Sequence, residues 1–221
     1  MALPEWDGMR KSEADCLARL AVSRNVVLIR RPNDRPFATG ISQTSHATRA
    51  MERPKATQVP PGSLIADHLP GANFYDAWSI DLVDDGRSAL RLFMQSLAAT
   101  PAWVERCMAL RNRAAVLVGL KDLGPLSAVD PAGAESAYRP GDRVGIFTLV
   151  QNTFAETLLG DRDKHLDVVL SVHRRACGTG RVLVTVTTVV RVHNLLGHLY
   201  MIPVRPLHRR IAPAVLASLA R

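Results

Sequence analysis

The amino-acid sequence predicts an α+β fold in which a first strand, a pair of helices, a run of antiparallel strands and a closing helix follow one another. Two observations carry this. The hydrophobic period switches from two to about 3.6 residues after the first strand-like run, and the later strand-like runs are joined by turns too short to hold a helix.

The first strand is "FYDAWSIDLV", residues 74–83, in which Tyr75, Ala77, Ser79 and Asp81 face one side and Asp76, Trp78, Ile80 and Leu82 the other. Helical spacing follows, with Leu90, Phe93, Met94 and Leu97 recurring at three- and four-residue intervals. Thr100 before Pro101 marks a restart, an N-cap candidate followed by a proline at the first helical position. The second helix carries Trp103, Val104, Cys107, Met108, Leu110 and Arg111 and runs to Leu120. Gly124 to Pro140, rich in Pro, Gly, Ala and Ser, reads as a long loop. Four strands come next, "RVGIFTLVQNT", "AETLLGD", "HLDVVLSVHRR" and "RVLVTVTTVVRVH", the later ones joined by "GDRDK" and "ACGTG". The closing helix restarts at Pro206 and kinks at Pro213, with Val204, Leu207, Ile211, Val215 and Leu219 along one stripe.

The last two strands have matching parity. Leu166, Val168, Leu170 and Val172 share a face, as do Val182, Val184, Val186, Val190 and Val192, so even positions pair with even positions. This valine-rich face is expected to point inward. The odd face collects His165, Asp167, Ser171 and His173 with Thr185, Thr187, Arg191 and His193, and reads as solvent-facing. A turn centred on Gly178 sets His165 opposite Arg191, Asp163 opposite His193 and Asp167 one diagonal step from Arg191. The alternative use of this cluster is catalytic: His165, Asp167 and His193 as acid, base or metal ligands.

With 221 residues, 47% of them hydrophobic and 5% aromatic, the chain suits one domain of ordinary size with an appendage. Residues 53–221 form the expected domain. Residues 1–52, with turn formers at Pro32, Asn33, Asp34 and Pro36 and a polar Ser/Thr tract, read as a poorly ordered or start-site extension. The apolar run "VLVTVTTVVRVH" is shorter than the roughly 18 residues of a membrane span and contains Arg191. No secretory leader pattern opens the chain. Cys16, Cys107 and Cys177 are odd in number, far apart and without a C-x-x-C pair, which suits free thiols in the cytoplasm. Neither a metal nor a cofactor is implied. The Walker loop, Rossmann glycine motif, G-x-S-x-G elbow and H-E-x-x-H are absent from the sequence.

The net charge of +8 is uneven. No acid follows Asp167, whereas Arg174, Arg175, Arg181, Arg191, Arg205, Arg209, Arg210 and Arg221 do. Earlier acids of the same chain or an external anion can answer this excess. The scarcity of aromatic residues among the basic ones argues against single-stranded nucleic acid as the partner.

Three segments, "PAWVERCMALRNRAAVLVGLK", "GDRDKHLDVVLSV" and "VTVTTVVRVHNLLGHLYMIPVRPLHRRI", resemble the bacterial domain of unknown function 2867, the resemblance running from Pro54 to Leu219. That family is similar in element order to the helix-grip superfamily of START, Bet v 1 and polyketide cyclase proteins. The resemblance implies an antiparallel sheet wrapped around a long C-terminal helix, with a hydrophobic cavity between them. Some relatives carry the domain after a nucleotide-binding reductase domain, for which the first fifty residues here are too short. The matched polar positions are Asp163, His165, Asp167, Arg191, His193, Asn194, Tyr200 and His208.

The leading expectation is a small apolar ligand held in that cavity, with Trp78, Arg191, Asn194, Tyr200 and His208 as candidate contacts. One alternative is a cyclase, dehydratase or hydrolase reaction using His165 or His193 with Asp167. Another is an anionic lipid or nucleic-acid surface met by Arg205, Arg209 and Arg210. The oligomeric state is left open.

Overall fold

The computed structural model describes residues 53–117 and 123–220. The expectations for residues 1–52, and for the second helix beyond residue 117, lie outside the described residues.

Among the described residues the strands are β1 (Lys55–Ala56), β2 (Phe74–Val83), β3 (Arg143–Val144), β4 (Phe147–Asn152), β5 (Glu156–Arg162), β6 (Leu166–Ala176) and β7 (Arg181–Val192). They form one sheet in the order β1-β2-β7-β6-β5-β4-β3, every neighbouring pair antiparallel. Helices α1 (Ala89–Ala98) and α2 (Ala102–Leu117) lie between β2 and β3 in the chain, and α3 (Leu195–Ala217) follows β7.

The alternation read in β2 is real: Phe74, Ile80 and Leu82 are buried, whereas Tyr75 and Val83 are exposed. Strand β2 registers even on even against β7, Phe74 opposite Val190 and Leu82 opposite Val182. Helix α1 starts at Ser88, whose hydroxyl accepts from the Arg91 N–H at 3.1 Å. Its Leu90, Phe93, Met94 and Leu97 are buried, each worth about 1.5–3 kcal/mol relative to exposure. They pack on Ile80, Leu82, Val172, Val182 and Val184 from the even face of the sheet and on Leu216 of α3.

Four expectations are corrected. The run "RVGIFTLVQNT" is a tight hairpin, because Gly145 at φ +61° lets the chain reverse between Val144 and Phe147, which pair. Thr100 does not cap α2: the Val104 and Glu105 N–H groups bond the Pro101 carbonyl, and the Thr100 hydroxyl is buried with no partner. The β6–β7 parity is even on even, but the register differs by two residues from a turn centred on Gly178. Gly178 and Gly180 both adopt positive φ, so the reversal spans residues 177–181 and sets Asp167 opposite Arg191. Finally, α3 does not restart at Pro206. It runs unbroken through Pro203, Pro206 and Pro213 from an N-cap at Asn194, whose side chain accepts from Gly197 N–H at 3.1 Å. A helical proline deprives the carbonyl four residues earlier of its donor. Those carbonyls belong to Leu199, Ile202 and Arg209, all exposed residues whose carbonyls can turn to water instead. Close approach also fixes the start of α3: a Cβ on Gly197 would overlap the His165 carbonyl oxygen and come within 2.7 Å of Val192 Cγ1.

The odd face is not the solvent-facing side expected of it. The segment before β2, including the 3-10 turn Leu64–His68, covers it, and Ile65, Leu158 and Val189 form a second buried cluster there. Among the described residues Cys107 is a free thiol, and the expectation for Cys16 lies outside them. No helix among the described residues is long and apolar enough to cross a membrane.

Candidate functional site

Between the even face of the sheet and α3 lies a cavity of about 250 Å³. Its floor is Phe74 of β2, Leu166, Val168, Leu170 and Val172 of β6, and Val186, Thr188 and Val190 of β7. Its roof is Tyr200, Met201, Val204, Leu207, His208, Ile211 and Val215 of α3, a three- and four-residue spacing that keeps one helical face over the sheet. Phe93 and Leu97 of α1 and Cys107, Met108 and Arg111 of α2 close the sides. Of the even-face valines, Val168, Val172, Val186 and Val190 line it.

Few polar groups enter this wall. On α3, His208 places Nδ1 3.1 Å from Asp76 Oδ2, and Trp78 Nε1–H donates to the same oxygen at 3.2 Å. The His208 ring meets Phe74 edge-on at 5.7 Å between centroids. At the N-terminal end of α3, Arg111 Nε donates to the Tyr200 hydroxyl at 2.9 Å, with the guanidinium 5.5 Å from the ring centre. Asp161 of β5 and Asp163 of the β5–β6 turn also line the cavity.

Of the candidates read from the sequence, Tyr200 and His208 line the cavity. Trp78 supports it from behind through Asp76. His165, Asp167, Arg191, His193 and Asn194 do not line it: strand alternation turns Asp167 of β6 and Arg191 of β7 away from α3, and His165, His193 and Asn194 lie beyond the strand ends. They still come together with one another. His193 Nε2 lies 3.2 Å from Asp167 Oδ1, and His165 Nδ1 lies 3.1 Å from the Asn194 side-chain oxygen. Arg191 donates to the Pro70 carbonyl at 2.6 Å, tying the end of β7 to the segment that covers the odd face.

The basic C-terminal segment is answered within the chain in part. Arg174 pairs with Asp84 at 2.6 Å and Arg181 with Asp81 at 2.8 Å. Arg205, expected as part of a surface cluster, turns to the Asn73 carbonyl at 3.1 Å, leaving Arg209 and Arg210 exposed.

One buried polar centre escaped the sequence reading. Glu156, 4% exposed, accepts from Ser63 Oγ at 2.5 Å, Ser171 Oγ at 2.6 Å and Leu64 N–H at 2.9 Å. His173 stands opposite Glu156 in the ladder. Burial lowers the His173 pKa, opposed by the nearby Glu156 charge and aided by Arg175. Ser63 is 93 positions from Glu156, so no local pattern could have signalled the contact.

Comparison with known families places these elements. The family described as protein of unknown function, DUF2867, matches residues 68–215. The chain belongs to this family. The DUF2867 match takes in β2 through nearly all of α3, and with them every cavity-lining residue except Leu216. No curated protein and no solved structure matched the chain.

Proposed function

We propose that this DUF2867 domain is a helix grip that holds a small, largely apolar ligand between its sheet and α3. The element order supports the helix-grip reading: a strand, two helices, five strands in successive hairpins and a closing helix, with the first long strand beside the last. The single observation that carries ligand binding is the apolar cavity itself. At about 250 Å³ the space falls just below the usual range for small-molecule sites, roughly 300–1,000 Å³, so the ligand is small.

Titration with phenylnaphthylamine, a neutral apolar fluorophore, tests the reading. Val186→Phe and Val168→Phe, which push a ring into the cavity floor, are expected to weaken binding tenfold or more, about 1.4 kcal/mol. The circular dichroism spectrum and a single unfolding transition should be retained. A dye that binds the filled variants as tightly as the wild type contradicts cavity binding.

A further inference from the structure

The polar wall of the cavity is polarised at His208. Asp76 Oδ2 receives both the imidazole, at 3.1 Å, and the Trp78 indole N–H, at 3.2 Å, while Asp76 Oδ1 is buried with no partner. A carboxylate only accepts, so the hydrogen of the neutral ring sits on Nδ1 and Nε2 is left with its lone pair. Among the described residues Nε2 has no hydrogen-bond partner, although His208 lines the cavity. Across the ladder from Asp76 stands Thr188, a buried residue that also lines the cavity. Phe74, Val190, Val204 and Ile211 of the same cavity carry no side-chain donor, and the Thr188 hydroxyl makes no hydrogen bond to Nε2.

We propose that Nε2 of His208 is the hydrogen-bond-accepting position of the cavity, and that the ligand is an apolar molecule carrying a weakly acidic hydroxyl group, a phenol or an enol. This rests on the cavity-binding reading above and deepens it. Such a hydroxyl donates to Nε2, while Asp76 holds the ring from its Nδ1 side. An ether or hydrocarbon of the same shape leaves Nε2 unpaired in a dry site. A site built to receive a hydroxyl discriminates against analogues that lack it more sharply than an apolar wall discriminates by size.

The test compares β-naphthol with its methyl ether by fluorescence titration of the full chain. The wild type is expected to prefer the naphthol by roughly tenfold, the value of one net hydrogen bond. His208→Phe keeps the ring volume and the edge contact with Phe74; it should bind the ether as the wild type does and lose the preference. Asp76→Asn serves as the second variant. Its amide can donate to Nδ1 and drive the ring hydrogen onto Nε2, so the preference should fall there too. Equal wild-type binding of naphthol and ether overturns the His208 assignment while leaving cavity binding intact. A preference that survives both substitutions overturns it as well. Binding of neither compound overturns both readings.

Discussion

Glu156 illustrates how a single buried charge can fasten one segment to a sheet. Its carboxylate receives three donors, two of them from Ser63 and Leu64 in the segment that covers the odd face, and none from a basic side chain among the described residues. Removing it strands two hydroxyls and one backbone N–H in a dry place, each costing about 1–3 kcal/mol. Glu156→Ala is therefore expected to destabilise the domain by about 3 kcal/mol or more, and Ser171→Ala by about 1 kcal/mol, in denaturant unfolding. A Glu156→Ala midpoint equal to that of the wild type contradicts this role. The same residue explains why part of the chemistry was illegible in the sequence. Glu156 reads as the polar edge of "AETLLGD", and its partners lie as far as 93 positions away. Asp76 and His208 are 132 positions apart, so the pair at the cavity wall has no local signature either. Family resemblance singles out His208, whereas Asp76 reads only as one residue of a strand with mixed faces.

Elements were legible where local physics sets them. Alternation in β2 reports its burial directly, and even-on-even parity in β6 and β7 identifies the face that lines the cavity, since a slip by one residue would send valines to the other side. Turn geometry was less legible, because two positive-φ glycines shift the register by two residues without altering parity. Helix α3 was read as interrupted because proline normally ends a helix. Here the exposed flank tolerates the missing bonds, and the cap at Asn194 sets the start. Asn194 also donates to the Lys164 carbonyl at 3.1 Å, so it joins α3 to the β5–β6 turn. Asn194→Ala should lower stability by about 1 kcal/mol, and Asn194→Ser, which keeps a capping oxygen, by less. Thermal unfolding of the two variants checks the order. An Ala variant as stable as the Ser variant removes the cap from the account.

At the scale of the whole domain, much of the basic charge has a partner inside the chain. The arginine excess after Asp167, which pointed in sequence toward an outside anion, is drawn in part by Asp81 and Asp84 at the end of β2 and the turn after it, and by backbone carbonyls of Pro70 and Asn73. What remains distinctive is the dry space under α3, with one imidazole at its wall. The most direct test is native mass spectrometry of the protein freshly purified from cells, repeated after denaturation. A native mass that exceeds the chain by one small molecule, released on unfolding and identified as an apolar compound with a hydroxyl group, is the predicted result. A native mass equal to the denatured chain, in a protein that also fails to take up phenylnaphthylamine, would contradict the account at its centre.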